Sequence, residues 1–118
     1  MDWITQINVD CYPQILNSKI SECYEQYLKR GRGNGMATVD IGDNIYVFVF
    51  KTGNSRTGEV KYKCEAKYIY KKEDGLWVIL EIIKKYKRGK FTYEYLEDAE
   101  IIHFPLFHLN KVNKSDFD

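Results

Sequence analysis

His103 and His108 are the two histidines of the chain, and paired imidazoles are the first place to look for metal or acid–base chemistry. They stand five apart, so in a continuing strand they face opposite sides, and no cysteine or carboxylate cluster surrounds them to complete a metal set. Glu65 and Glu81 can approach each other in one strand register alone, and two carboxylates on a strand face are the ordinary material of ion pairs. Cys11, Cys23 and Cys64 are an odd, widely spaced set without a C-x-x-C pair, which reads as reduced thiols. Cys64 has the parity of a core residue, unsuited to an exposed thiolate. GRGNG at 31 to 35 would follow a helix and precede a strand, the reverse of a phosphate-cradling loop. Neither G-x-S-x-G nor H-E-x-x-H occurs. The expectation is a protein that is not an enzyme, with no metal and no cofactor.

Binding chemistry is better represented. In EVKYKCEAKYIYKK, residues 59 to 72, Val60, Tyr62, Cys64, Ala66, Tyr68 and Tyr70 share one parity, and Lys61, Lys63, Glu65, Lys67 and Lys71 the other. KKYKRGK at 84 to 90 adds five cations at a hairpin tip and KRGRG at 29 to 33 adds three, so three stretches hold thirteen of the 18 Lys+Arg. The acidic run Glu94, Glu97, Asp98 and Glu100 opposes part of that field. Lysines among tyrosines suit single-stranded nucleic acid, where rings stack on bases and ammonium groups meet phosphates. The same mixture suits a protein contact, in which tyrosine is enriched and lysine stems lie along apolar surface. It also describes a plain solvated sheet face.

The elements that must carry these residues follow from periodicity. Tyr12, Leu16, Ile20, Cys23 and Tyr27 recur at three- and four-residue spacing, which predicts a helix between Asp10 and Gly31. From Met36 the period is two, with turn signals at 42 to 44, 52 to 58, 73 to 75 and 88 to 89. Strands are expected near 36 to 41, 45 to 52, 59 to 72, 76 to 87, 90 to 96 and 99 to 104, and Pro105 should end the last. The fold class expected is α+β, an N-terminal helix packed on a curved antiparallel meander of five or six strands. It forms one domain over 1 to 109, and 110 to 118 forms a flexible polar tail. The stretch YKKEDGLWVI is similar to the hairpin of NTF2-like and cystatin-like domains, which also set a helix against a curved antiparallel sheet. The order of elements departs from the NTF2-like pattern, so no functional residue is carried over.

Two strands, 45 to 51 and 76 to 83, are apolar on both parities, and one helix covers one face of a sheet. The second face must be covered by the sheet curling on itself, by a second copy, or by a partner. With a two-residue turn at Asp74-Gly75, Lys61, Lys63, Lys67, Lys71 and Lys84 share a face with Leu80, Ile82, Tyr86, Phe91, Tyr93 and Tyr95. The other face then holds Tyr62, Cys64, Ala66, Tyr68, Tyr70, Trp77, Ile79 and Ile83, and a bulged turn at Glu73 would exchange the two.

Eighteen Lys+Arg against 17 Asp+Glu leave no global excess for a polyanion binder, so any electrostatic function needs a local patch. No leader and no bilayer-length apolar run is evident, which predicts a cytoplasmic protein without a membrane anchor. The lysine-, isoleucine- and asparagine-rich usage is that of AT-rich coding, as in low-GC bacteria, phages and large viruses, and a phage or viral protein would work in the host cytoplasm. The leading expectation is a small binding protein of inhibitor, immunity or anti-defence type. It would dock a protein partner, or a second copy as a homodimer, through Lys67, Lys84, Tyr86, Phe91, Tyr93 and Tyr95. The alternative is RNA or single-stranded DNA binding through Lys61, Lys63, Lys71, Lys85, Lys87, Arg88, Arg30 and Arg32. A small-molecule pocket lined by Tyr62, Tyr68, Tyr70 and Trp77 ranks third.

Overall fold

The chain was analysed as a computed structural model that describes residues 1–30, 39–73, 75–103 and 109–118. The N-terminal residues DWITQIN form β1 (Asp2–Asn8), followed by a 3₁₀ turn over Pro13–Asn17 and by β2 (Cys23–Arg30). Then come β3 (Asn44–Lys51), β4 (Asn54–Lys72), β5 (Gly75–Lys85), the six-residue helix α1 (Tyr93–Asp98) and β6 (Asn110–Val112). The six strands make one mixed sheet in the order β2-β5-β4-β3-β1-β6, with β1 parallel to β3 and the other neighbours antiparallel.

This architecture corrects the expected helix-on-meander. No N-terminal helix packs on the sheet, because the apolar stripe from Tyr12 to Tyr27 never closes into helical turns. Asn17, Ser18 and Ser21 are poor helix formers. Ser18 is already extended, and Ser21 sits at φ +76°. From Cys23 the backbone groups are satisfied by pairing with β5, from Cys23↔Glu81 to Arg30↔Gly75. Leu16 and Ile20, the middle of the supposed stripe, are exposed. The strand expected over 90 to 96 is replaced by α1, where Thr92 caps the helix by accepting from the Tyr95 amide at 3.1 Å. Residues 99 to 103 are turns and bends, with Glu100 at φ +56°, in place of the last expected strand. Residues 36 to 38, Phe104 and Pro105 fall outside the described residues.

The sheet is rolled. Four strand spacings separate β2 from β1, about 19 Å on a flat sheet. Yet Gln26 Nε2 in β2 donates to Thr5 Oγ1 in β1 at 2.7 Å, and both side chains are buried. The concave side encloses the first core, built on Trp3, Ile7, Ile45, Val47, Tyr62, Cys64, Ala66, Val78, Leu80 and Ile82. A second core lies outside the sheet over β1 and β3, where Ile4, Tyr46, Phe48 and Val60 meet Tyr86, Phe91, Leu96, Ile102 and Phe117. The residues expected as a flexible tail therefore do structural work: β6 pairs with β1, and Phe117 is 1% exposed, stacked on Tyr46 at 4.2 Å.

Candidate partner-binding face

The β4–β5 hairpin decides which side chains face out. It closes on Lys72↔Gly75, one residue earlier than the expected turn, with Glu73 at φ +57°. The earlier turn leaves the expected facing intact, with Trp77 and Ile79 beside Tyr70 and Tyr68; these point out, while Val78, Leu80 and Ile82 point into the first core. A second irregularity between Ala66 and Tyr68 bulges β4 at Lys67. Tyr62, Cys64 and Ala66 thus line the inside, while Tyr68 and Tyr70 pair with Ile79 and Trp77 on the outside.

Across β5, Trp77 pairs with Tyr27 of β2 and Ile79 with Glu25. The outer face of β4, β5 and β2 consequently carries a run of rings. Tyr68 and Tyr70 stack at 5.9 Å, Tyr70 neighbours Trp77, and Trp77 meets Tyr27 edge-on at 5.3 Å. Tyr68 is 55% exposed, Ile79, Tyr70, Trp77 and Tyr27 are half-buried, and Ile83 stands exposed at the neighbouring bulge. These rings are fixed in place. Gly75 leaves the space that Tyr27 occupies, since a Cβ there would run into the Tyr27 ring. The Tyr70 hydroxyl reaches over β5 to donate to Glu25, a bond that pushes the phenol up to about 12. Lys72 lies over the Trp77 ring at 5.5 Å.

The sequence reading put Lys67, Lys84, Tyr86, Phe91, Tyr93 and Tyr95 on one binding surface, and the structure divides them. Lys67 borders the ring face, bridging Glu65 at 3.0 Å and Glu81 at 3.6 Å, and the Glu65 bond holds its ammonium above the usual range. Tyr86 and Phe91 are buried in the second core with their rings edge-on at 4.9 Å. Tyr93 is half-buried on α1 and donates to Glu97, while Tyr95 is exposed and packs its ring against Phe91 at 5.8 Å. Lys84 lies over Tyr86, its Nζ 3.9 Å from Asp118. Five of the six thus gather in or around the second core.

The nucleic-acid set is dispersed in the same way. Lys61 faces Glu59 at 3.8 Å and Lys63 faces Asp118 at 3.0 Å. Lys71 is exposed at the end of β4, Arg30 ends β2 opposite Gly75, and Lys85, Lys87 and Arg88 are exposed where β5 runs out, away from that end of the hairpin. Arg32 and the GRGNG stretch lie outside the described residues.

Nothing catalytic assembles among the described residues. Glu65 and Glu81 do stand opposite each other, but Lys67 bridges them. Burial pushes the Cys64 thiol far above the thiolate range, His103 is exposed, and His108 is outside the described residues. No group of three metal-ligating side chains occurs among the described residues, and no helix among them is long and apolar enough to cross a membrane. The expected tyrosine-lined pocket separates into two environments: Tyr62 is inside, donating to the Ile15 carbonyl at 2.8 Å, while Tyr68, Tyr70 and Trp77 are outside. Sequence reasoning assigned those three and Ile79 to the core and overlooked Tyr27 and Glu25 as their neighbours. The available signal was the double-sided apolar pattern of residues 76 to 83. No protein-family model matches the chain, and no curated protein matches its sequence.

Proposed function

We propose that this chain works by contact rather than catalysis, as a small docking domain whose binding surface is the ring face of β4, β5 and β2. The carrying observation is that Tyr68, Tyr70, Trp77, Tyr27 and Ile79 point outward and no second core of described residues lies on them, only Lys72 over Trp77, while the adjacent outer face over β3 and β1 is covered by the chain itself. Clustered, pre-positioned tyrosine and tryptophan rings are the residues that dominate contact energetics. The occupant is a segment of another protein. Three strands and about seven residues give a footprint of roughly 300 Å², well under the about 800 Å² per partner of a stable folded interface. That area suits a short segment better than a second copy. An inhibitor or adaptor acting by occlusion is the class this fits.

The test is to pan a phage-displayed random dodecapeptide library on the purified protein and measure the enriched peptides against Tyr68→Ala. The expected result is enrichment of clones whose affinity falls about tenfold in the variant. Failure to enrich, or clones that bind the variant equally, would overturn the reading. Light scattering of the free protein at micromolar concentration should give a monomer, and a salt-resistant dimer lost in Tyr68→Ala would transfer the face to a second copy.

One observation favours a second reading, polyanion binding at the other end of the sheet. Lys85, Lys87 and Arg88 are exposed, and none has a carboxylate within ion-pair distance among the described residues. It predicts binding of a labelled oligothymidylate that weakens steeply with salt and is lost when these three are replaced together.

A further inference from the structure

Resting on that docking reading, we propose that the ring face takes a proline-rich segment in the polyproline II conformation, with a basic residue at the end that lies by Glu65 and Glu81. The rings form one row that crosses three strands: Tyr68 and Tyr70 along β4, Trp77 on β5, Tyr27 on β2. The 5.9 Å step from Tyr68 to Tyr70 runs along β4, while the steps to Trp77 of about 5 Å and to Tyr27 of 5.3 Å run across the strands, so the row turns once and spans roughly 12 Å end to end. That span matches about four residues of polyproline II at about 3.1 Å each.

The polar groups fit the same ligand. A polyproline II backbone makes no internal hydrogen bonds, so its carbonyls need donors. Trp77 Nε1 and the Tyr68 hydroxyl have no hydrogen-bond partner among the described residues, and both stand on the row. They can donate to two carbonyls about two to three residues apart while the ring faces pack against pyrrolidine rings. A strand-adding peptide would need a free sheet edge, but the row lies on a face, which favours a rod that presents side chains and carbonyls.

Charge orients the rod. Glu65 and Glu81 are directly opposed on neighbouring strands, a repulsive arrangement that the single ammonium of Lys67 bridges, and Glu25 is a third carboxylate beside Ile79. Three carboxylates against one lysine leave this end of the row acidic. The other end carries Lys71 and Lys72 with Glu73. An arginine or lysine flanking the prolines is therefore favoured at the acidic end. Both partners are ordered before they meet: Gly75 and Glu25 hold Tyr27 and Tyr70, and polyproline II is stiff, so little conformational freedom is lost on contact.

The experiment is a titration of ¹⁵N-labelled protein, followed by amide and indole shifts, with a synthetic peptide of two arginines and seven prolines. Two controls replace the prolines by glycine and the arginines by glutamate. The expected result is saturable shifts at Tyr27, Tyr68, Tyr70 and the Trp77 indole with a dissociation constant of about 10–100 µM. Binding should weaken at least about tenfold for the glycine peptide and about fivefold for the glutamate peptide. Trp3 is buried, so its indole signal should stay still. Trp77→Ala should abolish binding, and Tyr68→Ala, at an exposed position where the sheet should stay folded, should weaken it at least about fivefold. Shifts elsewhere, equal binding of the glycine peptide, or no saturation by about 2 mM would overturn the inference. If library peptides without proline still depend on Tyr68, the docking reading stands and this inference alone falls. If no peptide depends on Tyr68, both fall.

Discussion

The outer face of the sheet over β3 and β1 and the outer face over β4, β5 and β2 are built from similar side chains and meet opposite fates. Over β3 and β1, Ile4, Tyr46 and Phe48 are sealed by Phe91, Leu96, Ile102 and Phe117, and Tyr46 and Phe48 are fully buried. Over β4, β5 and β2, Tyr68, Tyr70, Trp77 and Tyr27 stay in contact with solvent. Both regions are backed by the same concave core, so the requirement of the sheet for cover differs little between them. The chain supplies α1 and the β6 segment to one region and nothing among the described residues to the other. The difference separates rings that stabilise the fold from rings that remain for contact, and substitution can test the separation.

The largest effect should come from Phe117→Ala. It removes the ring that stacks on Tyr46 and meets Phe91 edge-on at 5.2 Å. A buried phenylalanine lost to a cavity costs about 3–5 kcal/mol, which urea unfolding would read as a lower midpoint. A loss under about 1 kcal/mol would mean that the cover is dispensable and the two regions are alike. Gly75→Ala comes next. Its backbone is outside the left-handed region, so the damage is collision with the Tyr27 ring, expected to cost about 1–3 kcal/mol and to shift Trp77 emission as the ring row moves. Unchanged emission would show that the row is not held by Gly75.

How much of this contrast could be read from the sequence depends on the range of the interaction. β3, β4 and β5 fall close to where the period of two placed them, and the double-sided apolar run of 45 to 51 meets a second core. β1 was illegible because its pairing with β3 is parallel and 42 residues distant, from Asp2↔Asn44 to Asn8↔Phe50. The ring face was misassigned because the bulge at Lys67 shifts the parity of β4, placing Tyr62, Cys64 and Ala66 inside and Tyr68 and Tyr70 outside, and a bulge leaves no mark in the alternation. The spacing of Tyr12, Leu16, Ile20, Cys23 and Tyr27 imitated a helix because a loop and an edge strand happened to share its period. The second core was unreadable for a related reason. Phe117 sits in a polar context, and its burial depends on contacts with residues far along the chain.

A smaller effect concerns how the first and last residues are held to the sheet. Burial pushes the Asp43 carboxyl up, but the Asp40 amide, the Trp3 indole at 3.0 Å and the terminal ammonium at 3.3 Å outweigh it and hold it below its ordinary value. Asp118 is lowered likewise: its desolvation is outweighed by Lys63 and Lys84. A carboxylate with a lowered folded pKa adds stability that is fully present above its unfolded value, near about 4, and is lost as pH falls through the folded one. Stability should therefore decline below about pH 4. Asp43→Asn, which can still accept from Trp3, should make that decline shallower, as followed by denaturant midpoints across the acid range. An unchanged slope would remove Asp43 from the account.

The smallest expected effect on stability is also the sharpest test of the contrast. Tyr68→Ala deletes a ring of the same kind as those of the second core, but one that is 55% exposed and, among the described residues, has Tyr70 as its one ring contact. Surface substitutions of this kind stay within about 0.5 kcal/mol. The unfolding midpoint should hardly move, although the peptide binding expected above should fall. If instead Tyr68→Ala cost as much as Phe117→Ala, the rings over β4 and β5 would be part of the packed structure, since a ring free for contact cannot also be one on which folding depends. The ratio of the two losses therefore measures how far the two faces have diverged in use.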